Sequence, residues 1–261
     1  MKKTNIFNTG CTIMLLASFC SCQKVIKVNL NDAAAKNVIE ANVTDQPGPY
    51  LVSITRSVNF DQDNVFPAVS GATVVITDQT AGLADTLKEV TPGNYQTSIL
   101  KGTPGHIYSL YVNASSQVYT ASSTMPQPVP LDSLYTGKSA FSGNIDIIPQ
   151  YTDPIAKGNY YHFLVSRNDT ASDNISIRND DLVNGQTISQ PVGAGGKLVP
   201  GENVTVSLQC IDSAIYQYYY SLAQTEDQNS ATPANPLTNI KGGALGYFSA
   251  HTVSTKSIIV P

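Results

Sequence analysis

The chain has 261 residues and a formal charge of −4, from 15 basic and 19 acidic side chains, and only 13% of its residues are charged. Mild acidity without a long charge block argues against nucleic-acid binding, which usually shows a basic face. Abundant Ser, Thr, Asn, Gly and Tyr suit an exported β-protein rather than a helical bundle.

Residues 1–21 read as an export signal. Lys2 and Lys3 form a basic start, residues 13–19 a short apolar run, and Ser21 is a small residue before the cut. A spanning helix needs about 20 apolar residues, and this run is far shorter, with Asn8 and Gly10 just before it. Phe19-Cys20-Ser21-Cys22 resembles a bacterial lipobox, which makes Cys22 the expected lipidation site and 22–31 a tether. Cys20 is the rival acceptor, although it follows bulky Phe19; an ordinary secretory signal that leaves a free thiol is the alternative reading. Two or three acyl chains, at roughly 0.8 kcal/mol per buried methylene, would hold the protein on a membrane. Loss of Lys2 and Lys3 with the signal takes the charge from −4 to about −6. Of four cysteines, Cys11 and Cys20 leave with the signal and Cys22 carries lipid, so Cys210 is left without a disulfide partner. Cys210 falls in phase with Val204, Val206 and Leu208 and reads as a small buried hydrophobe.

Short strands punctuated by turns follow. They are predicted over 38–44, 50–55, 72–77, 86–90, 95–100, 107–114 and 118–123, with turns at 45–49, 91–94 and 102–105. About seven strands with turn signals every 8–12 residues is the pattern of an immunoglobulin-like β-sandwich, predicted here over 32–125. The disulfide and tryptophan of antibody domains are absent. Pro126, Pro128 and Pro130 mark 126–131 as a stiff linker. A second β-rich domain is predicted over 132–261, with strands at 144–150, 160–167, 175–178, 204–210 and 257–260. One helix near 212–225 interrupts it. Asp212 can cap this helix, and Ile215, Tyr219 and Leu222 form an i, i+4, i+7 stripe. Residues 226–243 read as a polar surface loop.

Catalytic patterns are missing. His106, His162 and His251 lie in three different predicted elements, and the sequence calls for no cofactor. Asp61, Asp63 and Asn64 resemble the start of a calcium loop, but position six is Phe66 where the loop requires Gly. Asp180 and Asp181 carry no stronger metal signature. Gly242, Gly243 and Gly246 lack the strand-then-helix setting of a phosphate loop and read as a tight turn or close backbone packing. Tyr216, Tyr218, Tyr219 and Tyr220 lie on nearly every side of the helix, so some should face a partner or cover the sandwich edge; an amphipathic helix packed with its hydroxyls wet is the other reading. Thr86, Ser133, Thr170 and Ser213 each follow an Asp and precede an apolar residue, which looks like the O-glycosylation pattern of Bacteroidetes.

The segments VTDQPGPY (43–50), VSGATV (69–74), PGNY (92–95), YTASST (119–124), LGYFSA (245–250) and VSTKS (253–257) occur in one order. Together with the tyrosine-rich helix, Asn235-Pro236 and Asn239-Ile240, they resemble the Bacteroidetes outer-membrane lipoproteins grouped as domain of unknown function 4249. The resemblance covers nearly the whole mature chain, and its motifs are turns and strand starts. It implies a non-enzymatic accessory role in nutrient uptake beside a TonB-dependent outer-membrane receptor, and it brings no binding residues with it. A free-standing glycan- or peptide-binding surface lipoprotein is the second expectation. A hydrolase whose site the linear order hides is the third. Surface-exposed lipoproteins of that phylum often carry acids after the lipidated cysteine; Gln23-Lys24-Val25-Ile26 has none, which leaves the membrane face open.

Overall fold

The computed structural model describes residues 34–59, 62–139, 142–226 and 235–261; the expected signal 1–21, Cys22 and the tether 22–31 lie outside them. The strands, in chain order, are β1 Asn37–Thr44, β2 Leu51–Arg56, β3 Thr73–Asp78, β4 Leu83–Thr86, β5 Lys88–Thr91, β6 Asn94–Gln96, β7 Ile107–Ala114 and β8 Gln117–Thr124. They continue as β9 Leu131–Lys138, β10 Ile145–Thr152, β11 Tyr160–Arg167, β12 Thr170–Ala171, β13 Ser176–Asn179, β14 Thr187–Ser189 and β15 Asn203–Ile211; the helix α1 is Ser213–Glu226 and β16 is Leu245–Ile259. One large sheet runs β12-β11-β15-β16-β1-β2-β6-β5, with β13 also on β11. A second is ordered β4-β3-β7-β8 and a third β14-β10-β9.

Period-two alternation builds these strands. In β15, Val204, Val206, Leu208 and Cys210 all point inward, and burial pushes the Cys210 thiol pKa up. The buried side chains form two clusters. Ile39, Ile54, Ile76, Leu110, Met125 and Phe248 belong to the first. Val129, Tyr151, Tyr161, Phe163, Leu208 and Val260 belong to the second.

The expected division into 32–125 and 132–261 needs correction, because β16 serves both cores. Its first half pairs parallel with β1, from Val38↔Leu245 to Thr44↔His251. Its second half pairs antiparallel with β15, from Cys210↔Thr252 to Asn203↔Ile259. At about 3.3 Å per residue, a strand of this length outspans a single core. Ile240, Ala244, Phe248 and Ala250, expected in the second domain, therefore pack in the first core. The proline-rich run is not a free spacer either. Met125 and Val129 are buried, the Val129 amide donates to Cys210 Sγ (3.3 Å), and the Leu131 amide donates to Ser254 Oγ (2.8 Å).

Asp212 does more than cap α1. Its Oδ1 accepts from the Ile215 amide (2.9 Å), while Oδ2 accepts from Ser123 Oγ (2.6 Å) and the Thr124 amide (3.2 Å). Ser123 Oγ in turn accepts from the Ala250 amide (2.9 Å), so one carboxylate ties α1, β8 and β16 together. Asp212→Ala should lower unfolding free energy by about 2–3 kcal/mol, from a lost cap and a buried Ser123 hydroxyl left without its acceptor. Asp212→Asn should keep most of that stability. Urea melts of the two variants check both values, and equal losses would assign the effect to charge rather than to the cap.

Candidate functional site

A helix turns about 100° per residue, so tyrosines at 216, 218, 219 and 220 cannot share one face. Ile215 and Tyr218 are buried, Tyr216 and Tyr219 are half-buried, and Tyr220 is 49% exposed. The inward pair packs the helix onto the large sheet. Tyr219 stacks on His162 of β11 at 4.0 Å between ring centroids, and Tyr218 and Tyr219 lie 4.9 and 5.6 Å from Tyr247 of β16. Tyr218 and Tyr219 are thus packing residues, which corrects their assignment to an interaction surface. The outward side carries a ladder: Tyr216 stands 5.0 Å from Tyr160 of β11 and 6.1 Å from Tyr220.

Burial sets the ionisation of this layer. It pushes the Tyr218 hydroxyl up to about 12 and raises those of Tyr216 and Tyr219, so all three are neutral donors. Burial also lowers His162 to about 4, against a hydrogen bond from its Nδ1 to Gln209 Oε1 (2.9 Å) that pulls the other way. His251 is lowered to about 4 by burial and then by the neighbouring His162. His106 is elsewhere, with Nδ1 2.7 Å from Asp78 Oδ2. Among the described residues, no group of three or more His, Cys, Asp or Glu side chains is placed to hold a metal. Asp63 and Asn64 are exposed, and Asp180 is buried, accepting from the Asn159 amide and side chain at 3.0 and 3.1 Å.

Beside the tyrosine ladder lies a cleft of about 310 Å³, lined by Tyr151, Arg178 and Tyr216 with aliphatic Ile177, Val183 and Ile188. Arg178 Nη2 donates to the carbonyls of Gln190 (3.2 Å) and Pro191 (2.7 Å), and the guanidinium lies 5.1 Å over the Phe163 ring. Arg178 Nη1 and the Tyr151 hydroxyl are buried without a partner. Burial holds the Tyr151 phenol up at about 12, despite the nearby Arg178 charge. A larger cleft of about 840 Å³ lies between 45–50 and 96–102. There the Tyr50 hydroxyl is already used, accepting from the Gly102 amide (2.8 Å) and donating to the Gln46 carbonyl (2.9 Å). Sequence reasoning missed Tyr151 and Arg178. They sit on β10 and β13, and no local spacing signals their approach.

The four expected glycosylation positions are unlike one another. Thr86, Thr170 and Ser213 are exposed, whereas Ser133 is half-buried and donates to Gln150 Oε1 at 2.7 Å. Asp85, which precedes Thr86, is committed to structure: its Oδ2 accepts from the amides of Ser98, Ile99 and Leu100.

Among the described residues these features define a mainly β protein with a single helix and several sheets, carrying a tyrosine ladder beside a small cleft. The chain belongs to the family described as "Domain of unknown function (DUF4249)", which matches residues 23–257. Among solved structures it is similar to the chicken interferon gamma receptor alpha chain, at 12% identity over 87% of this chain and 98% of that one, with a TM-score of 0.27. It is also similar to a two fibronectin type-III domain segment of chicken tenascin, at 12% identity over 69% and 92% of the respective chains, with a TM-score of 0.23. No curated protein is significantly similar in sequence.

Proposed function

We propose that this chain is a lipid-anchored, non-enzymatic binding or accessory protein of an outer membrane. It works beside a TonB-dependent receptor in nutrient uptake, and the strands around its first core form an immunoglobulin-like sandwich. The observation that carries the anchoring is Phe19-Cys20-Ser21-Cys22 directly after a short basic and apolar leader, with the family match beginning at residue 23. The receptor role rests on the family resemblance. The Tyr160–Tyr216–Tyr220 ladder supports it, because wet-edged aromatic surfaces are favoured at interfaces. A free-standing ligand-binding lipoprotein is the second reading, and the cleft at Arg178 favours it.

Cys22→Ser should move the protein from the membrane fraction to the soluble one, and the intact mass of the wild type should carry acyl chains on Cys22. Gentle detergent extraction followed by affinity capture should recover a β-barrel receptor with the wild type. A soluble wild type would sink the anchoring, and capture of no receptor under any growth condition would leave the free-standing reading. The same mass measurement reads glycan at Thr86, Ser133, Thr170 or Ser213. A mass equal to that of the lipidated polypeptide removes it.

A further inference from the structure

Arg178 is a half-buried cation, with its Nη1 fully buried, and it has no ion-pair partner among the described residues. The ion pairs among the described residues are His106–Asp78 and Arg167–Glu202, and neither involves it. The carboxylates of the surrounding segments form no ion pair with it, although Asp153 Oδ2 is itself buried without a partner. Asp153 accepts from the Tyr161 hydroxyl, Asp180 from Asn159, and Asp181 from the Asn179 amide. Two carbonyl oxygens and a ring face take one side of the guanidinium, and Nη1 is left buried without a hydrogen bond of normal geometry, beside the Tyr151 phenol.

Tyr151 repeats the pattern. It is fully buried, so it forms the inner end of the cleft, and its hydroxyl lies beside Arg178 without a hydrogen bond of normal geometry. Buried polar groups in native proteins are almost always paired, and an orphan calls for the group that pairs it. Five such atoms occur among the described residues. Four of them, on Tyr151, Asp153, Arg178 and Asn184, fall in the segments 151–153 and 178–184. The chain just beyond them is joined by the hydrogen bonds of Asp153 N to Gln186 O and Gly185 N to Pro154 O. Asp153 and Asn184 lie outside the lining of the cleft; Tyr151 and Arg178 are both in it.

We propose that this cleft, between β10, β13 and α1, binds a compact carboxylate that carries a short aliphatic group. Two free donors, one of them on a cation, match the two oxygens of a carboxylate. A phosphate would bring more charge and more oxygens than one half-engaged guanidinium and one phenol can satisfy. An amide would neutralise nothing. Ile177, Val183 and Ile188 supply an apolar wall, and Leu182 is 89% exposed at the same cleft, where an aliphatic ligand would cover it. The volume of about 310 Å³ is at the small end for ligand sites and excludes a long chain or an oligosaccharide. Tyr216 belongs to both the cleft wall and the outer tyrosine ladder, so an occupant touches the surface assigned to a partner. The inference does not rest on the lipid or the receptor, and a titration of the purified chain is indifferent to both.

A free branched-chain acid and the C-terminal carboxylate of a peptide ending in an aliphatic residue share this chemistry. Calorimetric titration of the mature chain in mild detergent separates them, using 4-methylpentanoate and N-acetyl-Gly-Leu, each against its amide. At least one acid should bind saturably and its amide should not; a tenfold preference between the acids identifies the source. Arg178→Gln should weaken the binding at least about tenfold, and Tyr151→Phe about fivefold. Tyr151→Phe keeps the ring packing, so it carries the test should Arg178→Gln fail to melt cooperatively. The inference is overturned if acids and amides bind alike, if neither acid saturates by about 20 mM, or if the folded variants bind as the wild type does.

Discussion

Acidification from about pH 7.5 to about pH 5 should remove up to about 4 kcal/mol of folding stability, well before the carboxylates protonate. The cause is a pair of histidines buried as neutral imidazoles. His162 and His251 are each 3% exposed and each lowered to about 4, against about 6.5 for a free side chain. Above the free value, neither the folded nor the unfolded state binds a proton at these sites, and pH has no leverage. As pH falls through that value, the unfolded chain takes up protons that the folded chain refuses. Stability is lost until the folded value is reached, and each histidine contributes about 2 kcal/mol at pH 5. The two interact, so the total belongs to the pair rather than to either ring. Asp78 and Asp85 are lowered carboxylates: burial raises each, but the bond and charge of His106 together with the Ala81 and Thr80 amides outweigh it at Asp78, and three backbone amides together outweigh it at Asp85. Their stabilisation is present above the ordinary carboxylate range and fades only below it, outside this window. Asp153 is raised by burial and works in the opposite sense, gaining protons in the folded state on acidification. Urea denaturation at the two pH values measures the balance. His251→Gln should flatten the profile by about half, and a wild-type stability that does not change between them would refute the neutral-pair reading.

A methyl group at Gly246 should be worse still. Gly246 has φ of +91°, in the left-handed region, and lies opposite Ile39 in the parallel pairing of β1 with β16. A Cβ there would stand 2.1 Å from the Ile39 carbonyl oxygen and 2.8 Å from its carbonyl carbon. Those are backbone atoms of a buried strand, so no side-chain rotation relieves the contact. Either β1 or β16 must shift, and β16 is the strand that serves both cores. Gly246→Ala should cost about 4 kcal/mol or more, or prevent folding. Gly82→Ala is the control: φ is +69° and nothing lies within 4 Å, so only the left-handed penalty of about 1–2 kcal/mol applies. Matching urea midpoints for the two variants would mean that the β1–β16 contact is not rigid.

Local pattern read much of the fold. The strand expected at 107–114 is β7, that at 160–167 is β11, and the helix expected near 212–225 is Ser213–Glu226 with Asp212 as its cap. Each signal is carried by residues within a few positions of one another. Of the strand β16, only the end was expected, at 257–260. Polar Thr252, Ser254, Thr255, Lys256 and Ser257 break its apolar pattern: Thr252 is buried despite its hydroxyl, and 255–257 are exposed while the strand pairs with β15. Among the tyrosines, composition signalled an excess, and only the angular placement around α1 against Tyr247, His162 and Tyr160 separated packing residues from surface ones.

By itself the sequence determined the β-rich class, the helix at 213–226 and its cap, and the inward phase of Cys210. These depend on residue type and short spacing, which the chain states directly. Tertiary structure alone decided that the last strand runs parallel to the first, that two cores share one sheet, and that Tyr151 and Arg178 meet. The physical reason is common to all three. Period-two alternation says which face of a strand is buried, but it does not say which strand lies alongside. Val38 and Leu245 become neighbours only when the intervening chain has folded around them.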